Sequence, residues 1–138
     1  MPNGIDLILT DHQHVNELFA EFEADPNGAT LGLIVAALTA HDQAEQAALY
    51  PLLGALTGDL ALVQRAEAAH SMVNKQIDNL QQLEGPPLIA AAQLLRQIVT
   101  QHVEDDESEL LPALAAAASP QQLDALGARF LQAKQRGG

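Results

Sequence analysis

Cysteine is absent from the 138-residue chain, which excludes disulfide frameworks, thiolate zinc sites, cysteine-held iron–sulfur clusters and cysteine nucleophiles together. Any metal it binds must be held by nitrogen and oxygen. Aromatic residues are scarce, with no Trp, one Tyr and three Phe, and β-branched residues are too sparse to suggest strands. Basic residues number 6 against 18 acidic ones, giving a formal net charge of −12. That field repels phosphate backbones and anionic lipid, so neither a nucleic-acid nor a membrane partner is expected. The longest apolar runs, Leu31 to Leu38 and Leu110 to Ala118, fall short of the roughly 20 residues that cross a bilayer. The first residues carry no basic side chain and meet Asp6 and Asp11 early, unlike a secretory signal. A soluble, cytoplasmic protein is the expectation, and residues 1–138 suit a single domain.

What the chain does have is helix-forming residues and five histidines: His12, His14, His41, His70 and His102. Turn signals at Asp25-Pro26-Asn27-Gly28, Thr57-Gly58-Asp59, Glu84-Gly85-Pro86-Pro87 and Ser119-Pro120 divide it into pieces rich in Ala, Leu, Gln and Glu. Thr30, Asp59 and Ser119 read as N-caps, with Pro120 at a first helical position. Apolar residues recur at alternating three- and four-residue steps. The stripes are Ile5, Ile8, His12, Val15, Phe19, Phe22; then Leu31, Ile34, Leu38, His41, Glu45, Ala48, Leu52; then Val63, Ala66, His70, Val73, Ile77, Leu80; and finally Leu95, Val99, His102, Asp106, Leu110. Short loops and four amphipathic helices predict an all-α, antiparallel up-down four-helix bundle. A short fifth helix at about 120–134, with Leu123, Leu126 and Phe130 at helical spacing, is expected to brace it, and Lys134 and Arg136 suit its C-terminal dipole.

The chain also resembles itself. His41-x-x-x-Glu45 with Leu49 and Pro51 lies over His102-x-x-x-Asp106 with Leu110 and Pro112, and His12-Gln-His-Val15-Asn16 lies over His70-Ser-Met-Val73-Asn74. Two helix hairpins follow, about residues 5–56 and 59–116, each with one His on its first helix and His-x-x-x-carboxylate on its second. Pro51 and Pro112 are expected to end or kink their helices at equal distances past the histidines.

Residues four apart share a helix face, so each hairpin offers two imidazoles and one carboxylate to the core. A lone histidine on an apolar stripe is more often a satisfied core residue than a ligand. Four imidazoles and two carboxylates buried together are another matter, because each unpaired charge costs several kcal/mol against a total stability of roughly 5–15 kcal/mol. A His–carboxylate salt-bridge cluster reduces that cost; metal ions remove it most directly. Two His and one carboxylate suit first-row metals, non-heme iron among them. Two facing hairpins would give a two-metal centre bridged by Glu45 and Asp106. His14, about 200° round the helix from His12, belongs at the surface. Asn16 and Asn74 are either polar flanks of the stripe or hydrogen-bonding neighbours of ligands, and Tyr50 either fills core space or points its hydroxyl at the centre. Of the acidic run Glu104 to Glu109, one or two residues can face the core; the remainder form a solvated face or a cation-gathering patch.

These residues resemble the hemerythrin-like, or HHE cation-binding, domains. The likeness runs from Leu9-Thr10-Asp11-His12 through His41-x-x-x-Glu45 with Leu49-Tyr50-Pro51 and His70 to His102-x-x-x-Asp106 with Leu110-Leu111-Pro112. It implies two non-heme Fe ions, with Zn or Mn as substitutes, His12 and His41 on one, His70 and His102 on the other, and Glu45 and Asp106 bridging. It also implies a small diatomic or peroxide ligand. Two departures stand out: Asn74 occupies the place of the extra histidine of oxygen carriers, and their last carboxylate often falls where this chain has Glu107. The internal repeat favours Asp106 over Glu107. With a smaller histidine set, one iron is left less saturated, so turnover chemistry is more expected than reversible oxygen carriage. The function expected is a di-iron protein that binds or reacts with O2, peroxide or nitric oxide, or handles iron. The alternatives are a catalase-like, peroxide-consuming enzyme and a metal-free helical interaction bundle.

Overall fold

The computed structural model describes residues 3–137. Helix α1 spans Gly4–Ala24, capped by Asn3, whose side chain accepts from the Asp6 N–H while the Asp6 carboxylate accepts from the Asn3 N–H. Helix α2 spans Gly28–Ala44, and its cap is Asn27, not Thr30: Asn27 Oδ1 accepts the Thr30 N–H at 2.8 Å. Asn27 is the turn residue just outside the helix, and an oxygen there reaches the first orphan donors more directly than one inside the first turn. Helices α4 (Leu60–Leu80) and α5 (Gly85–Asp105) form the second hairpin. Asp59 caps α4 as expected, and Ser119 Oγ accepts the Gln122 N–H at the start of α7 (Pro120–Gly137).

Pro51 and Pro112 do not end their helices. Each long helix passes through one π turn, Glu45–Leu49 or Asp106–Leu110, and resumes as α3 (Tyr50–Thr57) or α6 (Leu111–Ala117) with the proline at its second residue. The wider turn relieves the proline ring of the carbonyl one turn back, and the missing N–H falls where the ladder has already been reset. Tyr50 N–H bonds the Glu45 carbonyl and Leu111 N–H the Asp106 carbonyl, five residues apart in both cases. Both inward carboxylates therefore open a π turn. Helix α3 ends at Gly58, whose φ of 66° suits a residue without Cβ.

The described residues form an all-helical bundle, α1 packing on α2 and α4 on α5, with α7 laid across α1, α2 and the first π turn. Its apolar interior is in two parts. One gathers Ile8, Leu49, Leu53, Leu110, Leu114, Leu126 and Phe130; the other gathers Val15, Phe19, Phe22, Ile34, Leu38, Val73, Ile77, Leu95 and Val99. The histidine positions fall between them on every stripe: His12 between Ile8 and Val15, His41 after Leu38, His70 before Val73, His102 after Val99. A polar layer thus divides two apolar ones. Helix α7 meets α1 closely: a Cβ on Gly4 would lie 2.4 Å from Leu126 Cγ.

Candidate metal centre

The structure brings His12, His41, Glu45, His70, His102 and Asp106 together in that layer, each less than a tenth exposed. Donor atoms of His12, His41 and Asp106 lie within 4.8 Å of one another, as do those of Glu45, His70 and His102. The imidazoles pair by hairpin, as their spacing suggests, but each triad takes its carboxylate from the opposite hairpin. Each carboxylate keeps the helical i,i+4 relation to its own histidine, since its N–H still bonds that histidine's carbonyl, and its side chain reaches across the layer to the other pair. Glu45 Oε1 is 2.9 Å from His41 Nε2, 2.7 Å from His70 Nε2 and 3.7 Å from His102 Nε2. Asp106 Oδ2 is 3.3 Å from His102 Nε2 and 3.7 Å from His12 Nε2. Both carboxylates stand between the two imidazole pairs.

Three of the four rings are turned inward by an outer carboxylate. His41 Nδ1 donates to Asp11 Oδ2 at 2.8 Å, His70 Nδ1 to Asp42 Oδ1 at 2.6 Å, and His12 Nδ1 to Glu107 Oε2 at 2.9 Å. Such bonds fix ring orientation and aim Nε2 at the centre. Glu107, the lesser candidate for the inward carboxylate, is exposed and serves His12 from outside. Asp11 and Asp42 were not singled out by spacing. Each follows or precedes a histidine by one residue, about 100° round the helix, so it addresses the histidine of the next helix instead of its own neighbour. Asp11 is also held by Lys134 of α7, and the Phe130 ring meets His41 edge-on at 5.7 Å. Asn74 donates to Asp42 at 3.3 Å and so belongs to the support of His70, whereas Asn16 faces Arg96 at the surface. His14 is exposed.

The chemistry of this donor set can be tested on its unmet bonds. His12 Nε2, His41 Nε2, His102 Nε2, Glu45 Oε2 and Asp106 Oδ2 are buried with no hydrogen-bond partner. The short His41–Glu45 approach is therefore one of charge proximity without hydrogen-bond alignment. Buried polar atoms are normally partnered, and five orphans converging from three of the four long helices fit nitrogen- and oxygen-ligated cations. Protons fill part of that role. Burial disfavours the His41 imidazolium, but the Glu45 charge and the Asp11 bond outweigh it and push it up to about 10. His70 rises to about 9 against its burial, through its bonds to Asp42 and Glu45. Burial would raise Glu45, yet His41 and the other imidazoles hold it well below its usual range. Asp106 is pushed up to about 8 by burial and by the Glu45 charge beside it. Burial and the neighbouring His41 lower His12. The Tyr50 hydroxyl, buried and without a partner, is pushed far up, and its ring sits edge-on to His70 at 5.7 Å.

Among the four long helices the four imidazoles and Asp11 border a void of about 20 Å³, closed by Val15, Leu38, Val73, Val99 and Val103. That is room for roughly one water-sized molecule.

Fold and site together define a helical bundle with a buried cation-binding type of centre. The chain belongs to the hemerythrin family: residues 3–114 match the hemerythrin HHE cation binding domain. Helix α7 lies outside the matched residues. The fold is similar to the crystal structure of a hemerythrin HHE cation binding domain-containing protein from Mycobacterium kansasii, with a TM-score of 0.87 and 20% identity over 99% of this chain and 88% of that one. A DNA nickase of Nostoc sp. is 29% identical over 137 residues, 95% of this chain; the match spans only 39% of that longer protein. No described helix is long and apolar enough to cross a membrane.

Proposed function

We propose that the protein is a non-heme di-iron protein that binds or reacts with O2, peroxide or nitric oxide. The observation that carries this reading is the convergence of five unpartnered donor atoms within one buried layer, in two triads that each combine a pair of imidazoles with one carboxylate. His12 and His41 would hold one ion, His70 and His102 the other, with Glu45 and Asp106 shared. Bound iron supplies Lewis-acid and one-electron chemistry to whatever reaches it. The chain's own residues do the rest. Asp11, Asp42 and Glu107 keep three imidazoles aimed inward; Tyr50 keeps its hydroxyl proton in a buried position; the small void beside the imidazoles limits the ligand to about the size of a water molecule. The nickase activity of the longer relative is not carried over, because a net charge of −12 opposes the phosphate contacts that DNA binding needs.

Anaerobic reconstitution with ferrous iron, followed by exposure to O2, peroxide or nitric oxide, tests the reading. A new visible absorption band that requires both iron and the small molecule supports it. Protein that takes up no iron, with a melting temperature indifferent to chelator, favours a metal-free interaction bundle. Peroxide consumption faster than that of free iron selects the catalase-like form of the reading.

A further inference from the structure

The second π turn divides the acidic run among different tasks. Asp106 points inward and Glu107 supports His12, while Asp105 and Glu109 line a cavity of about 190 Å³ between α4 and the end of α5. The buried end of this cavity is formed by His102 and Asp106. At its exposed end Arg65 and Glu109 pair across a 3.6 Å gap. Ala69 narrows its side no further than a methyl group can.

Two independent observations make this more than a surface cleft. The side chains at its buried end, His102 at 6% and Asp106 at 2% exposure, each carry a buried atom without a hydrogen-bond partner, Nε2 and Oδ2. The second observation concerns His102 itself. By the internal repeat, Ala69 stands before His70 where Asp11 stands before His12. Asp11 secures His41, and nothing at Ala69 can secure His102, so among the described residues His102 is the one imidazole of the four with no outer carboxylate. The least supported ligand and the polar cavity coincide.

Resting on the metal-binding reading above, we infer that this cavity is the path by which divalent cations reach and leave the centre, with exchange occurring at the His102 side. Besides Asp106 at its buried end, two carboxylates, Asp105 and Glu109, line it against the single Arg65 guanidinium, a balance that draws cations inward and focuses their approach between low-dielectric walls. The separate small void inside the bundle, where valines meet the four imidazoles, is reached by fewer charged side chains, Asp11 alone among the carboxylates.

The test is Co(II) uptake by the 138-residue chain after chelator stripping, followed by stopped-flow absorbance at low and high salt. Glu109→Gln slows uptake at low salt by about threefold to tenfold, and the difference shrinks as salt screens the charge. Arg65→Gln breaks the same ion pair but removes the opposite charge, so it speeds uptake. Variants that acted only through the lost Arg65–Glu109 contact would move the rate in one direction, and that result overturns the inference. Ala69→Leu fills part of the cavity and slows both uptake and chelator-driven release by about tenfold or more; unchanged rates in a folded Ala69→Leu protein also overturn it. Should that variant not fold, the exposed charge pair still decides. A wild-type chain that binds no Co(II) overturns the metal-binding reading and this inference with it, whereas tight Co(II) binding with indifferent variants overturns the inference alone.

Discussion

Loading the centre at neutral pH must expel protons, and their number follows from the site. With His41 at about 10, His70 at about 9 and Asp106 at about 8, all three hold a proton at pH 7 in the metal-free chain. Ligation requires neutral imidazoles and an ionised carboxylate, so saturating the centre with divalent ions releases about three protons per chain. The constant for full loading then rises by roughly a thousandfold per pH unit near neutrality, one factor of ten for each proton displaced. Titration of Fe(II) or Zn(II) into a weakly buffered indicator dye measures the release directly. Release of fewer than about one proton per chain at saturation would refute the reasoning, since the cluster would then not be proton-filled. The same shifts set the sign for stability. His41 and His70 lie above their ordinary 6.5, so their contribution is fully present below pH 6.5 and lost as pH rises through about 9 to 10. Asp106, also raised, acts in the same direction. Melting temperature of the chelated protein should fall from about pH 7 to about 10 while that of the loaded protein holds, because ions replace the departing protons.

Three substitutions examine the supports. Phe130→Ala removes a side chain with no exposure that also packs edge-on against His41, and thermal denaturation should show a loss of about 3–5 kcal/mol. Gly4→Ala, ordinarily neutral or helpful in a helix, should cost about 1–3 kcal/mol by the same assay because its Cβ meets Leu126; a stabilised variant contradicts that contact. Lys134→Ala leaves a partly exposed ion pair unmade, so stability should change by less than about 1 kcal/mol. Metal release to chelator should nevertheless quicken by about tenfold through the weakened Asp11–His41 bond, and Lys134→Arg should restore it.

The helical stripes carried most of the architecture, because an inward histidine or carboxylate occupies the same three-four spacing as a leucine. His12, His41, Glu45, His70, His102 and Asp106 therefore announced a shared buried layer from spacing alone. What spacing could not convey was the change of helical pitch at Glu45 and Asp106. A π turn leaves the residue order untouched while rotating everything after the carboxylate, and this is why Pro51 and Pro112, expected to end or kink their helices, sit in helices that continue past a π turn. Asp11 and Asp42 were illegible for a related reason: they sit off the stripe, and their partners lie on a different helix. Lys134 looked like a residue suited to a helix dipole, and its reach to Asp11 depends on where α7 crosses α1 and α2.

The central claim is that the buried layer is a two-metal centre, and elemental analysis of protein purified without a chelating tag tests it most directly. Two metal ions per chain, iron predominant, both lost in Glu45→Ala, are the predicted result. Protein that retains no stoichiometric metal after expression in iron-replete medium, and takes up none when iron is supplied anaerobically, would contradict it.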